Sequence, residues 1–169
     1  MGRGDEFCEL LGPLEDSHFL ADKIVMLIGE YRHNLDAKKR LSIPSKFRKE
    51  LIEGAVLTRG LDNCLFLFSA QSWKPFAEML GGLSMAKKDT RAFSRLFLSG
   101  AVEVEFDSLG RILIPDILKE YAYLKKSVVV AGLFNRLEIW DEKRWNEYKS
   151  DLEKNSDNIA EKLGELGII

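Results

Sequence analysis

The hydrophobic positions of this chain change period several times, and they do so twice in the same order. LIGEYRHNL at 27–35 and AVEVEF at 101–106 mix apolar, aromatic and β-branched residues with polar ones in the alternation of strands. Each run leads into an Asp-x-x-x-Arg segment, Asp36–Arg40 and Asp107–Arg111, and then into a short apolar stretch, RLSI at 40–43 and RILI at 111–114. An Asp side chain readily accepts from the backbone just after it, and Gly110 tolerates positive φ, so the segment reads as a turn. Pro44 and Pro115 follow, in the first turn of helices predicted over 45–53 and 116–124. There Phe47 and Leu51, or Leu118 and Ala122, share one face. Two further strands close each unit: AVLTRG then CLFLF, and SVVVAG then RLEIW.

The correspondence extends to individual residues. Gly29, Asp36, Arg40, Ile43 and Pro44 recur 71 positions later as Gly100, Asp107, Arg111, Ile114 and Pro115. After one inserted residue, Gly60, Leu65, Leu67 and Trp73 match Gly132, Leu137, Ile139 and Trp145. The chain is therefore a duplication of a strand–turn–strand–helix–strand–strand unit. Between the copies, SWKPFAEMLGGL predicts a helix ending near Gly81-Gly82, and DTRAFSRLFLSG a second one ending before Gly100. A long polar helix is predicted after Trp140. The division expected is an extension over 1–25, a first unit with its following helices over 26–98, a second unit over 99–148, and a helical tail over 149–169. Residues 1–25 have no counterpart in the second half, and Met26 opens the repeat register, so the extension is expected to be disordered or dispensable.

Composition narrows the function. A chain of 169 residues, 46% hydrophobic and 31% charged, has the make-up of a soluble globular protein. No apolar run approaches the roughly 18 residues of a membrane span, and no basic, then apolar, leader opens the chain. Two cysteines, Cys8 and Cys64, suit a reducing cytoplasm and lack metal-ligand spacing. Net charge is −2, yet two basic and six acidic groups in 1–25, with five basic and eight acidic in 141–169, leave 26–140 at +5. Much of that excess falls on Arg32, Lys38, Lys39, Arg40, Lys46, Arg48, Lys49 and Arg59. A local basic field of this kind attracts phosphate even in an acidic chain, although a solvated charged face explains it equally well.

A turn carrying Lys38, Lys39 and Arg40 would place cations at the tip of a two-stranded ribbon. Such a ribbon fits a major groove, where Arg pairs bidentately with guanine. The competing reading makes Asp36–Arg40 and Asp107–Arg111 intramolecular ion pairs that fix the turn. Other chemistry is not supported. His33 has no second ligand at metal spacing, Ser42 and Ser108 have no His–acid pair beside them, and no cofactor or small-molecule substrate is implied. Trp73 and Trp145 are expected to pack over the core, and Phe93, Leu96, Phe97 and Leu98 to serve as core or subunit interface.

GEYRHNLDAKKRLSIPSKFR, LTRGLDNCLFLF, RLFLSGAVEVEFDSLGRILIP and VVVAGLFNRLEIWDEKRW together resemble the MraZ family of bacterial transcriptional regulators, from about Met26 to Tyr148. The resemblance implies an α+β fold of two tandem AbrB-like swapped-hairpin β-α-β units with additional helices. It further implies a ring-shaped homo-oligomer that binds tandem G-rich promoter repeats of the division and cell-wall gene cluster, at the nucleoid. Carried over by position, Arg40 and Arg111 become the first DNA-binding candidates, with Asp36, Asp107 and Gly110 as motif support. Lys38, Lys39, Arg32 and Lys46 join them from the charge pattern. The first copy departs from the family's Asp-x-x-Gly-Arg turn, with Lys39 where the second has Gly110. The first turn is accordingly expected to be strained or reshaped, and to dominate DNA contact. Two alternatives remain: an antitoxin-like DNA-binding regulator, and a non-enzymatic oligomeric ring that grips an acidic protein.

Overall fold

A computed structural model describes residues 26–168; the expected extension over 1–25 lies outside the described residues. The first unit comprises β1 (Leu27–Asn34), β2 (Arg40–Ser42), α1 (Ser45–Leu51), β3 (Ala55–Arg59) and β4 (Leu65–Ser69). Helices α2 (Ala70–Gly81) and α3 (Lys88–Leu98) follow. The second unit repeats the order as β5 (Val102–Val104), β6 (Arg111–Leu113), α4 (Asp116–Tyr121), β7 (Ser127–Phe134) and β8 (Leu137–Asp141). Helix α5 (Glu142–Glu165) ends the fold. The two β-α-β-like units and their added helices match a duplicated AbrB-like α+β fold.

The strands do not pair within their own copy alone. The six-stranded sheet runs β1-β7-β8-β4-β3-β5, so β1 of the first copy pairs with β7 of the second, and β5 of the second with β3 of the first. Each position in that order has its duplicate at the mirror position, which places a pseudo-twofold axis between β8 and β4. The same axis passes through the two-stranded β2–β6 ribbon, where Leu41 faces its own counterpart Ile112. The ribbon expected within one copy is thus built between copies; within the first turn, strand pairing among the described residues is limited to the isolated bridge of Leu35 with Leu41, beside the Asp36 N–H to Arg40 O bond at 3.0 Å.

Strand periodicity assigns the two faces of the sheet to two cores. Leu65, Leu67, Val128, Val130, Leu137 and Ile139 point to one side, where Leu41, Ile43, Phe47, Ile112, Ile114 and Leu118 of the ribbon and short helices meet them. Phe66, Phe68 and Trp140 point to the other side and are covered by Leu80 and Phe97 of α2 and α3. Trp73 and Trp145 pack against that second core, as their matched positions predicted. Pro44 and Pro115 stand one residue earlier than expected, as N-caps with extended ψ, because a residue there needs no helical N–H bond. Asp141 caps α5 by accepting from the N–H groups of Lys143 and Arg144, and Ser69 caps α2 through Ser72.

Candidate nucleic-acid interface

The two Asp-x-x-x-Arg turns share one geometry. Asp36 Oδ1 accepts from the backbone N–H of Lys38 at 2.8 Å and of Arg40 at 2.9 Å. Asp107 Oδ1 accepts from Leu109 at 2.9 Å and Arg111 at 3.0 Å. The second carboxylate oxygen of each Asp takes both forks of its own arginine, Nε and Nη2, at 2.7–2.8 Å. One short acidic side chain therefore closes the turn and aims the guanidinium, which is why the motif needs Asp at its first position and Arg at its fifth. Those contacts hold both carboxyls below the usual range. For Asp107 the Arg111 guanidinium is the main cause and the value falls to about 2; for Asp36 the backbone N–H of Arg40 contributes most.

The turns flank the ribbon, and their arginines meet across its outer face. Arg111 Nη1 lies 3.5 Å from Asp36, and Arg40 Nη1 lies 4.0 Å from Asp107, which joins the four side chains into one neutral cluster. The backbones interlock as well: Ile114 N–H donates to Lys39 O at 2.9 Å, and Ile43 N–H to Gly110 O at 3.1 Å. Leu41 and Ile112 point into the core, so alternation leaves Arg40, Ser42, Arg111 and Leu113 on the outer face. The guanidiniums stay partly open, with side-chain exposures of 33% for Arg40 and 23% for Arg111. The intramolecular ion pairs are real, and they leave a presented edge on each arginine.

The remaining candidates are scattered. Lys38 is exposed, and among the described residues no carboxylate lies within ion-pair distance of it. Lys39 pairs with Asp116, the first residue of α4. Its backbone is left-handed, φ 61°, beside 73° for Gly110, so the first turn keeps the glycine shape and carries the strain. Arg32 is not brought to the ribbon: it is held by Glu30 at 3.2 Å and by Glu142 of α5 at 2.9 Å. Lys46 sits over the rings of Tyr31 and Phe47 and donates to Ile28 O at 2.7 Å, near the start of β1. His33 is partly buried, and desolvation with the nearby Arg48 pushes its pKa down. Among the described residues, no group of three or more His, Cys, Asp or Glu could hold a metal ion.

Arg48 entered the sequence reading only as part of the basic field, and its place beside the second turn was missed. Its Nε donates to Ile43 O at 2.7 Å and its Nη2 to Ser42 Oγ at 3.4 Å, and the guanidinium lies flat over Gly110. A β-carbon on Gly110 would overlap it. The signal was present in the repeat: Lys119 stands at the matching place in the second copy, so the exchange of Gly for Lys in one turn accompanies that of Arg for Lys on the helix beside the other.

The described residues contain no helix long and apolar enough to cross a membrane. The family model described as "MraZ protein, putative antitoxin-like" matches residues 26–96 and again 97–165, in line with the internal repeat. The chain is 49% identical over 143 residues to the transcriptional regulator MraZ of Alkaliphilus metalliredigens (strain QYMF), covering 85% of this chain and all of that protein. It is 50% identical over the same span to the protein of that name from Thermoanaerobacter sp. (strain X514), and 51% to that from Alkaliphilus oremlandii (strain OhILAs).

Proposed function

The chain belongs to the MraZ family, and from that premise we propose that it is a sequence-specific DNA-binding transcriptional regulator, acting as a repressor on tandem G-rich promoter repeats of the division and cell-wall gene cluster. The observation that carries this reading is the pair of equivalent turns whose Asp-aimed arginines share the outer face of one ribbon. A guanidinium has five N–H donors, and the bonds to its own Asp leave an edge free to pair with guanine O6 and N7. The Asp–Arg cluster is neutral, so phosphate attraction falls to Lys38 and Lys39, with Arg32 and Lys46 at the periphery. Both lysines lie in the first turn, which makes that copy the stronger contact. In this reading the interlocked units are swapped hairpins, and several copies of the chain form a ring in the cytoplasm, at the nucleoid. Each weak contact is then multiplied by the number of subunits engaged.

Mobility-shift titrations on the chain's own upstream DNA, with one, two and three repeats, test the reading. Tight binding to tandem repeats and poor binding to one are expected, with Arg40→Ala costing more than Arg111→Ala. Equal affinity for one repeat and for three would refute the avidity account, and equal losses for the two variants would refute the asymmetry. A second reading, an antitoxin-like regulator, is favoured by the distal half of α5, whose residues 154–165 are exposed apart from the half-buried Leu163. A partner protein that copurifies in fixed ratio and is lost on deleting 154–169 would support it instead.

A further inference from the structure

The two ends of the β2–β6 ribbon are equivalent in backbone and unequal in side chains. On the outer face Ser42 stands across from Arg111, and Leu113 stands across from Arg40. The Ser42 hydroxyl accepts from Arg48 Nη2 at 3.4 Å, which brings the Arg48 guanidinium beside Arg111, over the tip of the second turn at Gly110. Arg48 belongs to α1, a helix of the first copy, so one copy furnishes a cation to the turn of the other. In the first turn the residue matching Gly110 is Lys39, which carries its own cation and pairs with Asp116 at the start of α4. The residue matching Asp116 at the start of α1 is Ser45, which has no charge. Among the described residues no carboxylate lies at ion-pair distance from Arg48. Of the five N–H donors of its guanidinium, the bonds to Ile43 O and Ser42 Oγ use two. Nη1 makes no bond among the described residues, and it is not shut away from solvent.

We propose that Arg48 is a phosphate-binding residue of the second turn: laid over Gly110 by the helix of the first copy, its guanidinium grips the DNA backbone next to the base that Arg111 reads. What already holds the side chain prepares it for this. The Nε bond to Ile43 O fixes the guanidinium, so little side-chain freedom remains to be lost on binding, and a free Nη edge suits the oxygens of a phosphate. The Asp–Arg cluster beside it is neutral, and the residues inside the second turn, Ser108, Leu109 and Gly110, carry no charge. Without Arg48 the second turn would meet the backbone with no cation except the Asp-bound Arg111. With it, both ends of the ribbon anchor to phosphate, and the first keeps the larger share through Lys38 and Lys39. Gly110 thereby acquires a second purpose, since a β-carbon there would push the guanidinium off the turn. The proposal deepens the DNA-binding reading and rests on it.

Fluorescence anisotropy of the full chain on tandem-repeat duplex DNA, titrated across salt concentrations, tests it. Arg48→Gln removes the charge and should flatten the log–log salt dependence by about one for each chain engaged. Its affinity should fall by a similar factor on repeats with one guanine replaced, because a phosphate contact carries no base information. Arg48→Lys keeps the charge and should restore the slope. Ser45→Asp gives Arg48 the carboxylate that Asp116 gives Lys39, at an exposed helix start that favours an acid, and should also lower the slope. If Arg48→Gln does not fold, Ser45→Asp decides alone. An unchanged slope overturns the proposal, as does a loss of affinity at constant slope, which would make Arg48 structural only. Arg40→Ala, run alongside, separates the two readings. Binding that is lost in Arg40→Ala, with the slope of Arg48→Gln unchanged, removes this contact and leaves the function standing. An unaltered chain that fails to bind the repeats sinks both.

Discussion

Replacing Gly110 with alanine tests the coupled packing at the interface most directly. Two costs are separable. The left-handed backbone, φ 73°, costs an L-residue about 1–2 kcal/mol. The new β-carbon also expels the Arg48 guanidinium, which breaks its bond to Ile43 O. A hydrogen bond from a charged group is worth about 1.5–3 kcal/mol. Together these predict a loss of roughly 2.5–5 kcal/mol in urea unfolding at fixed chain concentration. For a domain of this size that is a fall in melting temperature of roughly 5–20 °C. The decisive assay is a double-mutant cycle. In an Arg48→Ala background the clash is gone, and Gly110→Ala should cost only the backbone part, about 1–2 kcal/mol. Equal costs in both backgrounds would show that Arg48 does not lie over the turn. A cost well under about 1 kcal/mol in the native background would show that the turn is free to change shape.

Three further outcomes are expected. The Asp107 carboxyl should titrate with a midpoint near 2, below the ordinary value of about 3.9, in carbonyl-detected NMR. Its folded value is depressed, so its support of the turn is complete above the ordinary value and is lost as pH falls through 2; a midpoint near 4 would contradict the clamp. Lys39→Gly should stabilise the fold by about 1 kcal/mol by relieving the left-handed lysine. The same change should weaken DNA binding and flatten its salt dependence by about one unit in log–log slope, and an unchanged slope would remove Lys39 from the phosphate contacts. Phe47→Ala should cost roughly 3–5 kcal/mol in denaturant unfolding, because the ring is fully buried and meets Tyr31 edge-on at 5.4 Å; a loss under about 1.5 kcal/mol would show that the ribbon core can collapse around the gap.

Much of the candidate site was legible because it is local. Asp36 and Arg40 are four residues apart, and so are Asp107 and Arg111, and their contacts close within a single turn. Even the sharpest doubt, whether Lys39 adopts the conformation of Gly110, was posed correctly from the repeat, and the answer is that the lysine bears the strain. Arg32 and Lys46 show where charge counting stops: both are cationic and near the motif in sequence, yet one is tied to α5 and the other to the start of β1. The role of Arg48 at the turn was missed for the opposite reason. Its partner lies in the other copy, and no spacing within one unit reports a contact between units.

By itself the sequence determined the duplication, the order of elements, the turn chemistry and the faces that had to be buried. These follow from periodicity and from side chains acting on backbone a few residues away. The tertiary structure decided which strands meet. An Asp-x-x-x-Arg turn between two strands is equally compatible with a hairpin inside one copy, and only the packed molecule shows β1 with β7 and β2 with β6. The physical reason is burial. Leu41 and Ile112 each present one apolar side chain on a three-residue strand, too little to hold a hairpin in water. Crossing between copies places both at the centre of one core, and brings four charges from two distant segments onto a single face.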